Sequence, residues 1–189
     1  LPPTLRAFAA RYPEVTLDLH FMDSEAACHA VEMGDLELAI VTLPPQARAS
    51  LELQPVWDDP LVVVCAPDHP LAQRRRVQIA DLAAHPAILP ASSTYTRQIA
   101  ERAFRDLGIE LHSSLSTNYL ETIRMLVSVG LGWSLLPQTM ADRQLHVLPV
   151  RSLQLHRTLG TVRHRERTLS NAARAMMALL PAPTGAIGP

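Results

Sequence analysis

Apolar residues Leu5, Phe8, Ala9 and Tyr12 recur at helical spacing over residues 4–12, and Pro13 ends that helix. Val15, Leu17, Leu19 and Phe21 then alternate with Thr16, Asp18 and His20, which predicts a half-buried strand. Beyond the loop Met22-Asp23-Ser24, Asp23 or Ser24 can cap a helix that Gly34 ends, and residues 36–41 read as the next strand. Strand, helix and strand in that order predict a parallel βαβ unit. Pro44-Pro45 break the chain, residues 51–57 form a further strand, and residues 61–66 form an apolar buried strand. That strand ends at Pro67 and Pro70, where the first crossover between lobes is expected. A short helix over 79–84 leads to apolar Ala87-Ile88-Leu89, to the polar cluster Ser92-Ser93-Thr94-Tyr95-Thr96, and to a helix stopped by Gly108. Near the end, residues 158–163 read as a strand and 169–180 as a helix capped by Thr168 or Ser170.

The pattern repeats. A gapless shift of residues 5–41 by 96 positions aligns Arg6 with Arg102, Ala7 with Ala103, Phe8 with Phe104 and Glu14 with Glu110. It also aligns Leu19 with Leu115, Glu25 with Glu121, Val31 with Val127 and Gly34 with Gly130. The order helix, strand, helix, glycine, strand recurs with it, so two related α/β lobes are expected. In the same register, the strand at 87–89 and the Ser92-Ser93-Thr94 loop have their first-copy counterparts before Leu1. The first strand of the first lobe is therefore expected to be missing.

Composition narrows the chemistry. The 189 residues carry 17 basic groups, all of them Arg, against 18 acidic ones, for a net charge of -1. Duplex binding usually needs a basic excess, because phosphate neutralisation dominates affinity, so this stretch is not expected to grip DNA by itself. No apolar run reaches the roughly 20 residues of a membrane span. Two cysteines, Cys28 and Cys65, suit a reducing compartment, so a cytoplasmic protein is expected. Leu1-Pro2-Pro3 does not begin a signal peptide, and a preceding segment is expected. The eight histidines are scattered and Cys28-His29 has no matching second pair, so no metal site and no cofactor are expected. Ser128-Val129-Gly130-Leu131-Gly132 is neither a nucleophile elbow nor a dinucleotide fingerprint, and no catalytic residue is assigned. Glu25 and Glu121 read as helix-dipole partners, and the arginines at 74–76 and 163–167 as solvated faces.

What remains is a set of short polar loops, Met22-Asp23-Ser24, Ser92-Ser93-Thr94 and Thr117-Asn118, each following an apolar strand and opening a helix. In open α/β sheets, ligands sit at the carboxyl ends of strands, where helix-start amides and hydroxyls receive anions. The alternative reading is that each of these residues is merely an N-cap for its own helix.

Gly34-Asp35-Leu36-Glu37-Leu38-Ala39-Ile40, Asp59-Pro60-Leu61-Val62-Val63-Val64 and Asp68-His69-Pro70-Leu71-Ala72 resemble the effector-binding domain of LysR-type transcriptional regulators. So, above all, does Leu126-Val127-Ser128-Val129-Gly130-Leu131-Gly132-Trp133-Ser134-Leu135-Leu136-Pro137. The resemblance implies an α/β fold of two βαβ lobes joined by two crossover strands, like the type 2 periplasmic binding proteins. Lobe I would comprise 1–66 with 156–181, lobe II 67–155, and 182–189 a frayed tail. It implies a non-enzymatic sensor that binds a small, anionic metabolite in the cleft between lobes. The contacts would come from Ser92, Ser93, Thr94, Thr96, Asp23, Ser24, Thr42 and Asn118, with Arg97 or Tyr95 supplying an ion pair or a stacked ring. It further implies a bacterial homodimer or homotetramer pairing residues 4–21 of one chain with 97–116 of another, and no membrane partner. DNA would be bound through an N-terminal winged helix-turn-helix that is absent here, with RNA polymerase as a further partner. The alternatives are a transport solute-binding protein, an enzyme of the same fold, and a redox sensor using Cys28 and Cys65.

Overall fold

A computed structural model describes residues 1–46 and 48–182. The chain forms two α/β units, the first of Leu1–Asp58 with the described residues from Thr158 onward, the second of Asp59–Arg157. It passes from the first to the second within one strand and returns within another.

In the first unit, helix α1 (Pro2–Arg11) starts with prolines where no amide acceptor is needed, and buries Thr4 and Phe8 on one face. Helix α2 (Ser24–Met33) buries Ala27, Cys28 and Val31 and ends at Gly34, whose φ of 92° is left-handed. Arg167 donates to the carbonyls of Val31 (3.3 Å) and Met33 (3.2 Å), completing that helix end. Strand β1 (Leu38–Thr42) packs on α2 and pairs antiparallel with β7 (Leu155–His164), from Leu38 opposite Arg163 to Thr42 opposite Leu159. Strand β2 (Leu51–Cys65) also approaches β7: a Cβ on Gly160 would collide with the Gln54 carbonyl oxygen, so only glycine fits there. Helix α6 (Asn171–Ala178) is capped by the Ser170 hydroxyl, which accepts from the Ala173 amide at 3.1 Å and donates to Glu37 at 2.9 Å.

The strand expected over 15–21 does not form. Among the described residues, no backbone-to-backbone hydrogen bond involves residues 16–22, and Leu19 and Phe21 are 50% and 93% exposed. Together with β1 and α6, this segment lines a cavity of about 560 Å³. Alternation specifies two faces but not a ladder partner, and strand structure depends on the partner. The parallel βαβ unit expected there is replaced by the antiparallel β1–β7 pair.

In the second unit, Leu61 to Val64 of β2 pair antiparallel with β5 (Ser134–Pro137), and Val64 and Cys65 with β6 (His146–Val147). Helix α3 (Ile79–Ala83) precedes β3 (Ile88–Leu89), α4 (Tyr95–Asp106) and β4 (Leu115–Ser116), and β3 and β4 pair in parallel. This is a βαβ unit. Helix α5 (Leu120–Ser128) leads to Trp133, which bridges Ala87 in parallel. Trp133 is buried, stacks on Phe104 with ring centroids 5.9 Å apart, and donates to the Leu82 carbonyl at 2.9 Å.

The internal repeat holds in three dimensions at matched positions within each unit. Helix α1 corresponds to α4, α2 to α5 and β1 to β5. Phe8 and Phe104 are both buried, as are Val31 and Val127, and Gly130 repeats the left-handed φ of Gly34 at 83°. The unit boundaries fall inside β2 and β7, whereas the sequence places the first after Ala66 and the second before residue 156. Residues 51–65 form one unbroken strand, so the chain crosses in mid-strand and not at the prolines that follow it. The tail expected over 182–189 lies, Ala182 apart, outside the described residues.

Candidate functional site

The polar cluster predicted in the second unit is assembled around the start of α4. Thr94 is the N-cap: its hydroxyl oxygen accepts from the Arg97 amide at 3.3 Å, and its hydroxyl donates to the Ala91 carbonyl at 2.9 Å. The side-chain carbonyl of Asn118 accepts from the Ala91 amide at 2.9 Å. Both backbone groups of Ala91 are thus bonded by side chains, which ties the 91–94 loop to Thr94 and Asn118. Ser92 and Ser93 are exposed, and among the described residues their hydroxyls engage no protein group. Tyr95 and Thr96, which follow, are buried.

Thr96 leads to an ion pair whose arginine stands out in neither composition nor motif. The Thr96 hydroxyl accepts from Nη1 of Arg157 at 3.4 Å, and Nε of Arg157 donates to Asp59 at 2.6 Å. The two charged side chains are 12% and 11% exposed. Asp59 and Arg157 are the first and last residues of the second unit. A lone arginine at a strand start reads as a solvated charge, and the only sequence signal was the Asp59-Pro60 step.

Arg97, which the resemblance offers as an ion-pair donor to the effector, already has protein partners. It is 6% exposed, and its guanidinium is held by Glu101 at 2.7 Å and by the Leu111 carbonyl at 3.0 Å, which fastens α4 to the segment before β4. Among the described residues, only the Arg97 amide, and not its guanidinium, is hydrogen-bonded to the 91–94 loop.

In the first unit, Ser24 and Thr42 meet: the Thr42 amide donates to the Ser24 hydroxyl oxygen at 3.2 Å, tying the start of α2 to the end of β1. Asp23 occupies the N-cap position, and its carbonyl accepts from the Ala27 amide at 2.9 Å. The three predicted residues of this unit are therefore neighbours.

Electrostatics separates the helix starts. Helices α2 and α5 carry their own first-turn carboxylates, Glu25 and Glu121, whereas α4, like α1 and α6, has no acidic residue there. A helix start with no carboxylate of its own leaves its partial positive charge open to an external anion.

The other candidates are accounted for by structure. Cys28 and Cys65 are fully buried, and burial, with the nearby Asp68 charge, pushes the Cys65 thiol up to about 11. A thiol so placed is unreactive at neutral pH. Arg163 pairs with Glu52 at 2.6 Å, and Arg165 donates to the carbonyls of Ala49 and Leu51, both at 3.3 Å. With Arg167 on α2, these arginines have intramolecular partners. Among the described residues, no group of three or more His, Cys, Asp or Glu is placed to hold a metal ion, and no helix is long and apolar enough to cross a membrane.

The family model described as the LysR substrate binding domain matches residues 1–182. The HTH-type transcriptional regulator CbbR of Xanthobacter flavus is 32% identical over 188 residues, covering 95% of this chain and 56% of that protein. The RuBisCO operon transcriptional regulator of Allochromatium vinosum is 28% identical over 179 residues, covering 92% and 59%. The chain thus spans little more than half the length of these relatives. Among solved structures, the Synechocystis PCC6803 CcmR regulatory domain in complex with 2-PG superposes with a TM-score of 0.82 at 26% identity, covering 96% of this chain and 92% of that one. The effector binding domain of QuiR in complex with shikimate gives a TM-score of 0.84 at 20% identity, covering 94% and 87%, a likeness of fold. The fold is that of the type 2 periplasmic binding proteins, two α/β lobes joined by two crossover strands.

Proposed function

Because the chain belongs to the LysR substrate binding domain family, we propose that it senses a small anionic metabolite and so controls DNA binding and transcription by a full-length LysR-type regulator. The observation that carries this reading is the start of α4: a loop bonded by Thr94 and Asn118, two exposed serine hydroxyls, and a first helical turn free of acidic residues. Hydroxyls and helix-start amides suit carboxylate or phosphate oxygens, and a loop so tied keeps the entropic cost of binding small. Ser24 and Thr42 supply polar groups of the same kind in the first unit. The resemblance to the CcmR regulatory domain, described in complex with 2-PG, supports an effector of this class.

In this reading the domain carries out no chemistry. Effector binding shifts the balance between conformations by its difference in affinity for them, and an N-terminal winged helix-turn-helix reads that shift on DNA. The regulator acts in the bacterial cytoplasm as a homodimer or homotetramer and contacts RNA polymerase at its promoters. The exposed apolar residues Leu19 and Phe21, and Leu107 and Leu115, lie on the segments 4–21 and 97–116 that would pair between chains. Such residues are expected at an unfilled protein contact.

Thermal-shift and calorimetric screening of carboxylates and phosphorylated acids tests the reading. A saturable stabilisation is expected, together with altered operator affinity of a full-length regulator carrying this domain. Turnover of a compound without such stabilisation would contradict it.

A further inference from the structure

We propose that Arg157 is the residue that selects for negative charge in the effector, with Asp59 setting how strongly it does so. This deepens the proposed function and rests on it.

Arginine carries five donor hydrogens in a rigid plane. In Arg157 the Nε edge is taken by Asp59 and Nη1 reaches the Thr96 hydroxyl in the first turn of α4. Among the described residues nothing accepts from Nη2. No polar side-chain atom described is both sealed from solvent and unbonded, so this remaining edge reaches water although the side chain is only 12% exposed. The result is a guanidinium fixed on one side and open on the other, beside a helix start that has no carboxylate of its own.

Asp59 has two effects. Its short hydrogen bond fixes the guanidinium plane, so the open edge is presented without loss of side-chain freedom on binding. Its charge also offsets part of that of Arg157. A neutral acceptor gains hydrogen bonds from the guanidinium edge, whereas an anion gains these and the coulombic attraction of the cation, and is at the same time repelled by Asp59. Removing the arginine and removing the aspartate charge should therefore move anion affinity in opposite directions. If the pair were only a structural staple, both changes would move it the same way.

The test is calorimetric titration of the 189-residue chain with shikimate, benzoate and inorganic phosphate, and with benzamide as the uncharged counterpart of benzoate. Wild type, Arg157→Gln, Arg157→Lys and Asp59→Asn are compared, each checked for folding by its melting transition. We expect the bound anion to lose tenfold or more in affinity with R157Q, less with R157K, and to gain severalfold with D59N, while benzamide does not discriminate between wild type and R157Q. Should R157Q not fold, the Nε–Hε resonance of Arg157 in ¹⁵N-labelled wild type takes its place and must shift on titration with the bound anion. Equal binding by wild type and R157Q, an unmoved resonance, or a loss with D59N matching that of R157Q would overturn the role of Arg157 and leave the sensor reading standing. Failure of every anion to bind wild type would overturn both.

Discussion

Thr94 does two jobs at once, capping α4 and holding the Ala91 carbonyl. Thr94→Ala should lower stability by about 1 kcal/mol, the usual worth of an N-cap, while Thr94→Ser should be near neutral. Chemical denaturation measures both, and a neutral Thr94→Ala would show that the cap contributes nothing. A second residue-scale consequence concerns pH. His69 is 8% exposed, and its Nδ1 accepts from the Leu71 amide at 3.2 Å at the start of a short helical turn. Burial first, then the charge of His85 with rings 5.0 Å apart, lowers its pKa, with Asp68 opposing. The folded state therefore favours neutral imidazole. The unfolded chain takes up the proton near its ordinary value of ~6.5, so the stability His69 contributes is present above that pH and lost as pH falls toward the lower folded value. His69→Asn keeps an acceptor without the titration. Melting temperatures at pH 7.5 and 5.5 should fall less in the variant than in wild type, and equal falls would rule His69 out. At this scale the capping role of Thr94 is legible from sequence, because it depends on residue type and on an adjacent helix. The Arg157–Asp59 pair is not, since 98 residues separate its members.

At the scale of elements, the helices and the left-handed glycines are readable because caps, stops and the 3.6-residue period are local. The repeat sharpens them, for Gly34 and Gly130 hold the same conformation one repeat apart. Strands are less readable. Residues 15–21 alternate well and still form no ladder, while Asp58-Asp59-Pro60, which has the composition of a turn, lies inside β2. Pro60 is tolerated just before the Leu61 to Val64 pairing with β5, where its absent amide costs no bond of that ladder. The end of α2 offers a test of coupling between elements. Arg167 caps it, and a Cβ on Gly34 would collide with that same guanidinium. Arg167→Ala should cost about 1 kcal/mol through the lost carbonyl contacts. Gly34→Ala should cost about 1–2 kcal/mol through its positive φ and also displace Arg167. The double variant is then expected to lose less than the sum, and strict additivity in a double-mutant cycle would show that the two act independently.

At the scale of the whole molecule, two related units joined by two crossover strands, with near-neutral charge, match a sensing module better than a DNA-gripping one. If the proposed dimer forms through 4–21 and 97–116, Phe21→Glu, at an exposed position, should leave folding intact and shift sedimentation toward the monomer. An unchanged association state would remove that surface from the interface. Whether an anionic metabolite is received at the start of α4 is decided by titrating the ¹⁵N-labelled chain with carboxylates, phosphorylated acids and their neutral amides. Saturable shifts of the Ser92, Ser93, Thr94 and Thr96 amides and of the Asn118 side chain are predicted for an anion and not for its amide. If bound anions leave those resonances unmoved, the account is contradicted.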